Sequence, residues 1–238
     1  MAALDPTVSK AEGASLARLY RVRFSAAEVA RKRRVWAILC DDFFSRFVNP
    51  TDRVLEIAAG YCEFINLVRC AEKYAYDLNP DTAVYAAKDV KVVLGDCRDM
   101  SMLPAEHFDT VFASNFFEHL ESKDDIDLVL QQVRQRLRPG GRLLVLQPNI
   151  RYLGARYWDF YDHKTPLSHL SLREGLRQNG FEVELLIPKF LPYTSKSRFP
   201  VMGWLVRLYL RMPVAQWLLG KQMFAVAVRP KERAIDGV

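Results

Sequence analysis

The residues of this sequence that could do chemistry begin with two carboxylates, Glu56 and Asp77, 21 positions apart. Each lies at or beside the end of a short apolar run that predicts a strand, and the small residues Ala58 and Gly60 follow the first run. Small residues between a strand and a helix let a ligand approach the backbone closely. An acidic side chain at the end of the neighbouring strand can accept hydrogen bonds from both hydroxyls of a ribose. The pattern therefore predicts a nucleoside-binding crevice.

A dinucleotide is disfavoured by the residues of this turn. The dinucleotide-binding pattern G-x-G-x-x-G would fall on Ala58, Gly60 and Glu63. A glutamate at the third position is too bulky for close packing of the helix on the strand, and its charge would repel a pyrophosphate. The sequence therefore argues against NAD.

The turn resembles instead the acidic-x-G-x-G-x-G motif of class I S-adenosylmethionine-dependent methyltransferases. Here the motif reads Glu56-Ile-Ala-Ala-Gly-Tyr-Cys62, with alanine and cysteine in place of two of the three glycines. Three further stretches resemble this family in the same order: Gly95-Asp96-Cys97, Phe108 to Leu120, and Leu137 to Leu146. The resemblance extends over about residues 53–187.

The resemblance implies that the chain binds S-adenosyl-L-methionine, and it gives the motif residues roles. Glu56 would lie near the methionyl amino group, and the backbone at Ala58 and Gly60 would pass against the cofactor. Asp77 would bind the ribose hydroxyls, and Leu78 would pack on the adenine.

The later motifs would complete the cofactor site. The resemblance implies that Asp96 accepts a hydrogen bond from the adenine amino group and that the Cys97 backbone N–H donates to a ring nitrogen. Asn115 would lie near the methionyl end and the transferring methyl. Methyl transfer is an in-line displacement that depends mostly on positioning, and it needs a base only where the acceptor must lose a proton.

Candidates for that base lie in two loops. Residues 147–170 leave the fifth predicted strand on the side of the sheet that faces ligands, and they are rich in aromatic side chains. Because imidazole titrates near neutrality, His163 is the first candidate for a general base, and His119, after the fourth predicted strand, is the second. The alternative is that the aromatics are core residues and the histidines are only hydrogen-bonded. The four cysteines form no C-x-x-C pair, so neither a disulfide framework nor a metal site is predicted.

The elements that position these residues follow from alternating apolar patterns. Helical spacing predicts helices from Ser25 to about Val48 and near residues 62–72, 80–88, 124–138 and 172–179, the last with a capping box at Ser171 and Glu174. Seven apolar runs predict strands at Val54–Ile57, Tyr74–Tyr76, Val90–Leu94, Thr110–Ala113, Leu143–Leu146, Val183–Ile187 and Phe224–Val228. We therefore expect an α/β fold with a doubly wound, mostly parallel seven-stranded sheet. The family resemblance makes it a Rossmann-like methyltransferase fold, with an N-terminal helix and an insert between the last two strands.

The predicted organisation is a leader and helix at 1–48 and a methyltransferase domain at 49–238, with substrate-side segments at 147–170 and 188–222. The second segment contains an apolar stretch with Arg207 and Arg211 on one stripe. This pattern predicts either a lid helix or a helix at a lipid surface, with peripheral membrane contact through residues 198–222.

Charge and composition restrict the partners. The net charge is +6, with basic ends (+5 over residues 1–40, +7 over 189–238) and an acidic middle (−6). The basic residues alternate with apolar ones, and no nucleic-acid module is recognisable, so no nucleic-acid partner is expected. The amino terminus shows no apolar core of a secretory signal, and the unpaired cysteines suit a reducing compartment. A cytoplasmic location is predicted, with the inner face of the membrane as an open alternative.

The sequence thus favours an enzyme that methylates a small-molecule or lipid/glycan-linked acceptor, most simply at oxygen. Two alternatives stay open. One is an RNA or protein methyltransferase, suggested by the basic ends. The other is a non-catalytic cofactor-binding scaffold, suggested by the altered glycine loop.

Overall fold

The computed structural model of the chain describes residues 26–193 and 202–231. Its helices are α1 (Ala26–Asp42), α2 (Thr82–Tyr85), α3 (Lys123–Arg136), α4 (Ile150–Leu153), α5 (His169–Gln178), α6 (Gly203–Arg211) and α7 (Pro213–Leu219). Its strands are β1 (Arg53–Ile57), β2 (Glu72–Asp77), β3 (Val90–Leu94), β4 (Phe108–Ser114), β5 (Leu137–Pro148), β6 (Glu182–Ile187) and β7 (Gln222–Val228). Short 3-10 turns lie at Phe44–Arg46, Phe117–His119 and Gly154–Asp159. The leader 1–24 and the insert residues Lys196 and Arg198 lie outside the described residues.

The strands form one sheet in the order β3-β2-β1-β4-β5-β7-β6. Strands β1 to β5 pair in parallel, and β7 runs antiparallel to both β5 and β6. The predicted doubly wound, mostly parallel sheet of seven strands is confirmed. Because the strands β1 to β6 point the same way, their carboxyl ends meet at one edge, where ligands bind in open α/β sheets. The insert 188–221 leaves β6 at this same edge.

Two apolar cores cover the two faces of the sheet, because successive strand residues point to opposite faces. In β5, Leu143 and Val145 join the core under α3 and α5, whereas Leu144 and Leu146 join the core beside α1. The second core is rich in phenylalanine and begins in the last turn of α1. Its buried rings are Phe43, Phe44, Phe64, Phe112, Phe190 and Phe224.

The predicted helix at 62–72 is wrong, because residues 60–67 form a series of turns. Cys62 has a left-handed φ of 55°, and the Ile65 N–H donates to the Glu56 carboxylate (2.9 Å) instead of to a carbonyl one turn earlier. The predicted helix at 80–88 is shortened to Thr82–Tyr85. The Asn66 side chain ends it by accepting from the Ala87 N–H (2.8 Å) and donating to the Tyr85 carbonyl (2.9 Å).

The helices predicted at 124–138 and 172–179 are confirmed as α3 and α5, but the predicted capping box of α5 is wrong. The Ser168 hydroxyl accepts from the Ser171 N–H (3.2 Å), and the Ser171 hydroxyl accepts from the Ser168 N–H (2.9 Å). These reciprocal bonds start the helix at His169 and place Glu174 in its second turn. The predicted start of the first helix, Ser25, lies outside the described residues.

The insert between β6 and β7 packs against α1. Phe190 stacks on Phe43 with ring centroids 4.2 Å apart, and Arg207 forms an ion pair with Asp42 (3.5 Å). The Tyr209 hydroxyl donates to the Phe190 carbonyl (2.5 Å), which ties α6 to the start of the insert. Within the described ranges, no helix combines the length and the apolar character needed to cross a membrane.

Candidate active site

The loop after β1 carries the first group of predicted site residues. Ala58, Gly60 and Cys62 have φ angles of 49°, 50° and 55°. A residue with a β-carbon pays about 1–2 kcal/mol for this left-handed conformation, which glycine adopts freely. The loop therefore follows the path that glycines favour, although two of the three positions carry a β-carbon.

Glu56 projects from β1 beneath this loop. It is buried, and one carboxylate oxygen accepts from the Ile65 N–H (2.9 Å). Burial raises the pKa of the Glu56 carboxyl well above its usual range, against the opposing effect of that hydrogen bond. A buried carboxyl with one hydrogen-bond partner is suited to receive a cationic group.

Asp77 ends β2 and is held by the backbone of two loops. One carboxylate oxygen accepts from the Gly60 N–H (2.6 Å), and the other accepts from the Asn79 N–H (2.7 Å). Burial raises the pKa of the Asp77 carboxyl, although these N–H groups oppose the rise. The side chain thus joins the end of β2 to the loop after β1.

The residues after β3 form a separate contact. The Arg98 guanidinium donates to both oxygens of Asp96 (Nη2–Oδ2 2.5 Å), and the Arg98 backbone N–H donates to Oδ1 (2.8 Å). Cys97 is buried, and burial raises the pKa of its thiol well above the usual range. Leu78 is half-buried.

Asn115 follows β4 with a left-handed φ of 48°. Its N–H donates to the Leu146 carbonyl (2.8 Å), and its side-chain oxygen accepts from the Gln222 amide (3.2 Å). Asn115 is therefore fixed at the sheet edge by contacts with β5 and β7.

A cavity of about 330 Å³ opens at this edge of the sheet. Trp36 of α1 and Tyr193 of the insert contribute to its walls. Six of the ten predicted site residues line it: Glu56, Ala58, Gly60, Asn115, His119 and His163. The other four, Asp77, Leu78, Asp96 and Cys97, lie outside its lining.

Glu118, His119 and His163 form a cluster on the cavity wall, which we call the Glu-His-His cluster. A carboxylate oxygen of Glu118 and one ring nitrogen of each histidine lie within 4.8 Å of one another. The centroids of the two imidazole rings are 5.2 Å apart. The structure thus brings both predicted base candidates together beside a carboxylate that sequence reasoning did not select.

The cluster is held in place by bonds between two loops. The Glu118 carbonyl accepts from the N–H groups of Lys164 (2.7 Å) and Thr165 (3.2 Å). His119 Nδ1 lies 3.0 Å from the Asp162 carbonyl oxygen, and His163 Nε2 lies 3.4 Å from the Tyr193 hydroxyl. Hydrogen bonds therefore hold the loop at 162–165 against the 3-10 turn after β4.

The Glu118 side chain is 1% exposed, and within the described ranges neither carboxylate oxygen has a hydrogen-bond partner. Burial raises the pKa of the Glu118 carboxyl to about 7, and the neighbouring His119 partly opposes the rise. An uncompensated buried carboxyl is costly, and such groups concentrate at functional sites.

Residues 55–145, from β1 into β5, match the family model of the methyltransferase domain. These residues therefore carry a methyltransferase domain, and the family model and the solved structures support a class I S-adenosylmethionine-dependent methyltransferase. No curated protein sequence matches this methyltransferase at a significant level.

Solved structures agree with this assignment at the level of the fold. An S-adenosylmethionine-dependent methyltransferase from Archaeoglobus fulgidus is 20% identical, with a TM-score of 0.62 over 83% of this chain and 94% of that one. A second, from Methanosarcina mazei, is 12% identical, with a TM-score of 0.59 over 79% and 97% of the two chains. A third, from Mesorhizobium loti, is 15% identical, with a TM-score of 0.55 over 75% and 91%. The methyltransferase fold is therefore shared at low sequence identity.

The aromatic segment 147–170 divides into core and cavity residues. Tyr157 is buried, and its hydroxyl donates to the Thr165 carbonyl (2.8 Å), whereas Tyr161 is 99% exposed. Phe160 and His163 line the cavity with rings stacked 4.9 Å apart. His169 is buried 3.0 Å from the Asn149 side chain, and burial lowers its pKa. Some aromatic and histidine residues of this segment therefore line the cavity, as expected for an acceptor site, and others are hydrogen-bonded core residues.

Proposed function

We propose that this methyltransferase transfers the methyl group of S-adenosylmethionine to a hydroxyl of a small-molecule or lipid/glycan-linked acceptor. The observation that carries the proposal is the shared cavity, because the cofactor-side residues Glu56 and Gly60 and the Glu-His-His cluster line the same space. When bound, the cofactor supplies an electrophilic methyl on a positively charged sulfonium. A cavity with buried carboxyl groups suits that charge.

The proposed cofactor contacts divide between the two sides of the β1 loop. Glu56, Ala58, Gly60 and Asn115 would contact the methionyl end, since they line the cavity. Asp77, Leu78, Asp96 and Cys97 would contact the ribose and adenine, as the family resemblance implies. Asp77 accepts hydrogen bonds from the Gly60 and Asn79 N–H groups, and a carboxylate has about four acceptor sites, so acceptor capacity remains for the ribose hydroxyls.

The acceptor hydroxyl must lose its proton as the oxygen–methyl bond forms. The Glu-His-His cluster is a group of proton-accepting side chains on the acceptor side of the cavity wall, and His163 and His119 are the proposed general bases. Removing such a base lowers the rate by about 10²–10⁴-fold. The cluster therefore supplies the proton acceptor, and the loop after β1 positions the methyl donor.

The test is transfer of labelled methyl into a lysate of the source organism, separated into lipid, small-molecule, RNA and protein fractions. We expect label in the lipid or small-molecule fraction, at least 100-fold less with His163→Ala, and cofactor affinity within about threefold by calorimetry. The matched control is His107→Ala, since His107 precedes β4 at the opposite edge of the sheet. Label in RNA or protein would support the first alternative, and no cofactor binding would support the scaffold.

We also propose that the insert makes peripheral contact with an anionic membrane surface, at the inner face of the membrane, through residues 198–222. The described part of the insert exposes large apolar side chains on α6, on α7 and at their ends. They are Met202, Trp204, Leu205, Leu208, Met212, Val214, Trp217, Leu218 and Leu219. Exposed apolar patches of this kind are uncommon on soluble surfaces and are typical of contact sites.

The charges beside this patch favour lipid over a neutral surface. Arg207 and Arg211 are exposed on the flank of α6, next to Trp204 and Leu208. Basic residues at the border of an apolar helix face are typical of interfacial helices, and each contributes about 1 kcal/mol near an anionic leaflet. A lipid-linked acceptor would then reach the cavity from the membrane.

Sedimentation with vesicles tests this contact. The wild type should sediment with anionic vesicles, and the double variant Trp204→Ser/Trp217→Ser should not. The matched control is Tyr161→Ser, an exposed aromatic outside the insert. Equal sedimentation of the double variant and the wild type, or none for the wild type, would refute the membrane contact.

A further inference from the structure

The Glu-His-His cluster has the composition of a metal site. Two histidines and one carboxylate hold catalytic zinc or non-haem iron in proteins, with further positions open to water or substrate. Zinc binds these ligands at about 2.1 Å, so tetrahedral geometry needs ligand atoms about 3.4 Å apart. The donor atoms of the cluster lie within 4.8 Å of one another, so they are already gathered around one point.

The unsatisfied Glu118 carboxyl is an independent observation that points to a cation. This side chain is almost fully buried, lines the cavity, and has no hydrogen-bond partner for either oxygen within the described ranges. Burial of a carboxylate without a partner is costly, and coordination of a cation is one of the few ways to compensate it.

The surroundings of His119 and His163 resemble the supporting shell of a metal site. His119 Nδ1 lies 3.0 Å from the carbonyl oxygen and 3.4 Å from the carboxylate of Asp162. With Nδ1–H donating to Asp162, the ring lone pair lies on Nε2, which is the tautomer that a metal ligand needs. Phe160 stacks on the His163 ring and Tyr157 packs beside it, which fixes the orientation of that ring.

We propose that Glu118, His119 and His163 bind a divalent metal cation of the zinc class at the acceptor wall of the cavity. What the cation does there rests on the proposed methyl transfer, whereas its binding does not. With the cation present, the histidines act as ligands, and the acceptor hydroxyl becomes acidic enough to lose its proton to water. The acceptor oxygen then bonds to the methyl as the sulfonium carbon–sulfur bond breaks. The products are the methyl ether, S-adenosylhomocysteine and one proton.

The test measures metal binding by the full chain without using activity. Chelator-treated protein is titrated with Zn²⁺, Mn²⁺ and Mg²⁺ by calorimetry, and metal content is measured after dialysis. We expect one Zn²⁺ per chain, and at least tenfold weaker binding in each of Glu118→Gln, His119→Gln and His163→Gln. Co²⁺ should give visible absorption bands of a nitrogen- and oxygen-coordinated site.

Two control variants test whether metal-ligating side chains outside the Glu-His-His cluster contribute to zinc binding. His107→Gln removes a histidine at the opposite edge of the sheet, and Cys70→Ser removes the most exposed of the four thiols. Neither should change zinc affinity by more than about twofold. Circular dichroism of each cluster variant separates lost ligation from lost folding.

The outcomes distinguish this proposal from the proposed function. If the wild type binds S-adenosylmethionine but retains no stoichiometric metal, the metal site is refuted and the histidines remain general bases. If zinc binds and the cluster variants lose it while no cofactor binds, the metal site stands and the methyl-transfer proposal fails. Zinc affinity that is unchanged in all three cluster variants would place the metal elsewhere and overturn the proposal.

Discussion

Two buried carboxyl groups at the same sheet edge, Asp77 and Glu118, differ in how the fold satisfies them. Both oxygens of Asp77 accept short hydrogen bonds from backbone N–H groups, those of Gly60 and Asn79. Neither oxygen of Glu118 accepts a hydrogen bond from any described residue. Asp77 therefore stabilises the fold through its hydrogen bonds, whereas the burial of Glu118 is not compensated by any hydrogen bond from the described residues.

This difference indicates that folding alone completes the cofactor side of the site but not the acceptor side. On the cofactor side, Asp77 fixes the loop after β1 before any ligand binds. On the acceptor side, the 3-10 turn after β4 and the loop at 162–165 hold the Glu-His-His cluster in place, but its carboxyl remains unsatisfied. Strained or unsatisfied groups of this kind persist where function requires them. Removal of the buried carboxylate should therefore affect stability in opposite directions on the two sides.

The largest effect is expected from Asp77→Ala. The variant leaves the N–H groups of Gly60 and Asn79 without their acceptor, which costs about 1–3 kcal/mol each in the free energy of unfolding. It also removes the proposed ribose contact, so S-adenosylmethionine affinity should fall at least 100-fold. Denaturant unfolding and calorimetry measure the two effects.

Asp124→Ala is the matched control, since Asp124 is an exposed carboxylate in the first turn of α3. It should leave S-adenosylmethionine affinity unchanged and lower the free energy of unfolding by no more than about 1 kcal/mol, the contribution of an acidic residue in the first turn of a helix. If Asp77→Ala does not fold, Asp77→Asn retains one acceptor oxygen and should show a smaller loss. Wild-type stability in Asp77→Ala would show that the bonds to Gly60 and Asn79 contribute nothing, and the comparison would fail.

The fold could be predicted from the sequence because its signals are local. Each of the seven strands contains a short apolar run, and helix α3 has its own cap at Ser122, whose hydroxyl accepts from the Asp125 N–H (3.2 Å). The helix predicted at 62–72 does not form, because the Ile65 N–H donates to the carboxylate of Glu56, a residue of strand β1. The sequence of 62–72 alone does not show this contact.

Glu118 was missed as a site residue for the same reason. The sequence shows Glu118 beside His119 in a loop, which is where a solvated glutamate would also occur. Its burial depends on the loop at 162–165, whose N–H groups bind the Glu118 carbonyl from more than 40 residues away. A long-range contact of this kind leaves no local pattern, whereas His119 and His163 were found because histidine itself is a signal.

Thiol labelling is expected to give the second largest effect and tests whether the cofactor-side loop is closed. Cys62 lies in this loop with no exposed surface, and burial raises the pKa of its thiol. Cys70 is half-buried, and burial raises its pKa only to about 11. Alkylation at pH 8 should therefore modify Cys70 at least 100-fold faster than Cys62, as mass spectrometry would show.

The denatured protein is the control for this labelling, because all four thiols should then react at similar rates. Addition of S-adenosylmethionine should not change the result in the native protein. Rapid labelling of Cys62 without cofactor would mean that the loop opens freely and that Asp77 does not hold it closed.

A smaller effect of opposite sign is expected from Glu118→Gln in protein freed of metal. The neutral amide costs less to bury than an unsatisfied carboxylate, so the free energy of unfolding at pH 8 should rise by about 1 kcal/mol. Methyl transfer should fall in the same variant, since the cluster loses its carboxylate. Asp77→Asn under the same conditions should lower the free energy of unfolding. A loss of stability in both variants would show that Glu118 has a favourable partner in the fold.

The smallest effect is expected from Ala58→Gly and tests the strain of the cofactor-side loop. Ala58 holds a left-handed φ of 49°, so removal of its β-carbon relieves about 1–2 kcal/mol. The added freedom of glycine in the unfolded chain offsets about 0.5–1 kcal/mol of that gain. The free energy of unfolding should therefore rise by up to about 1 kcal/mol, with S-adenosylmethionine affinity unchanged.

The matched control is Ala59→Gly, because the buried Ala59 has no left-handed φ to relieve and the variant should lose stability. Equal losses in the two variants would mean that the loop accommodates the β-carbon of Ala58 without strain, and that its left-handed path is held by Asp77 alone.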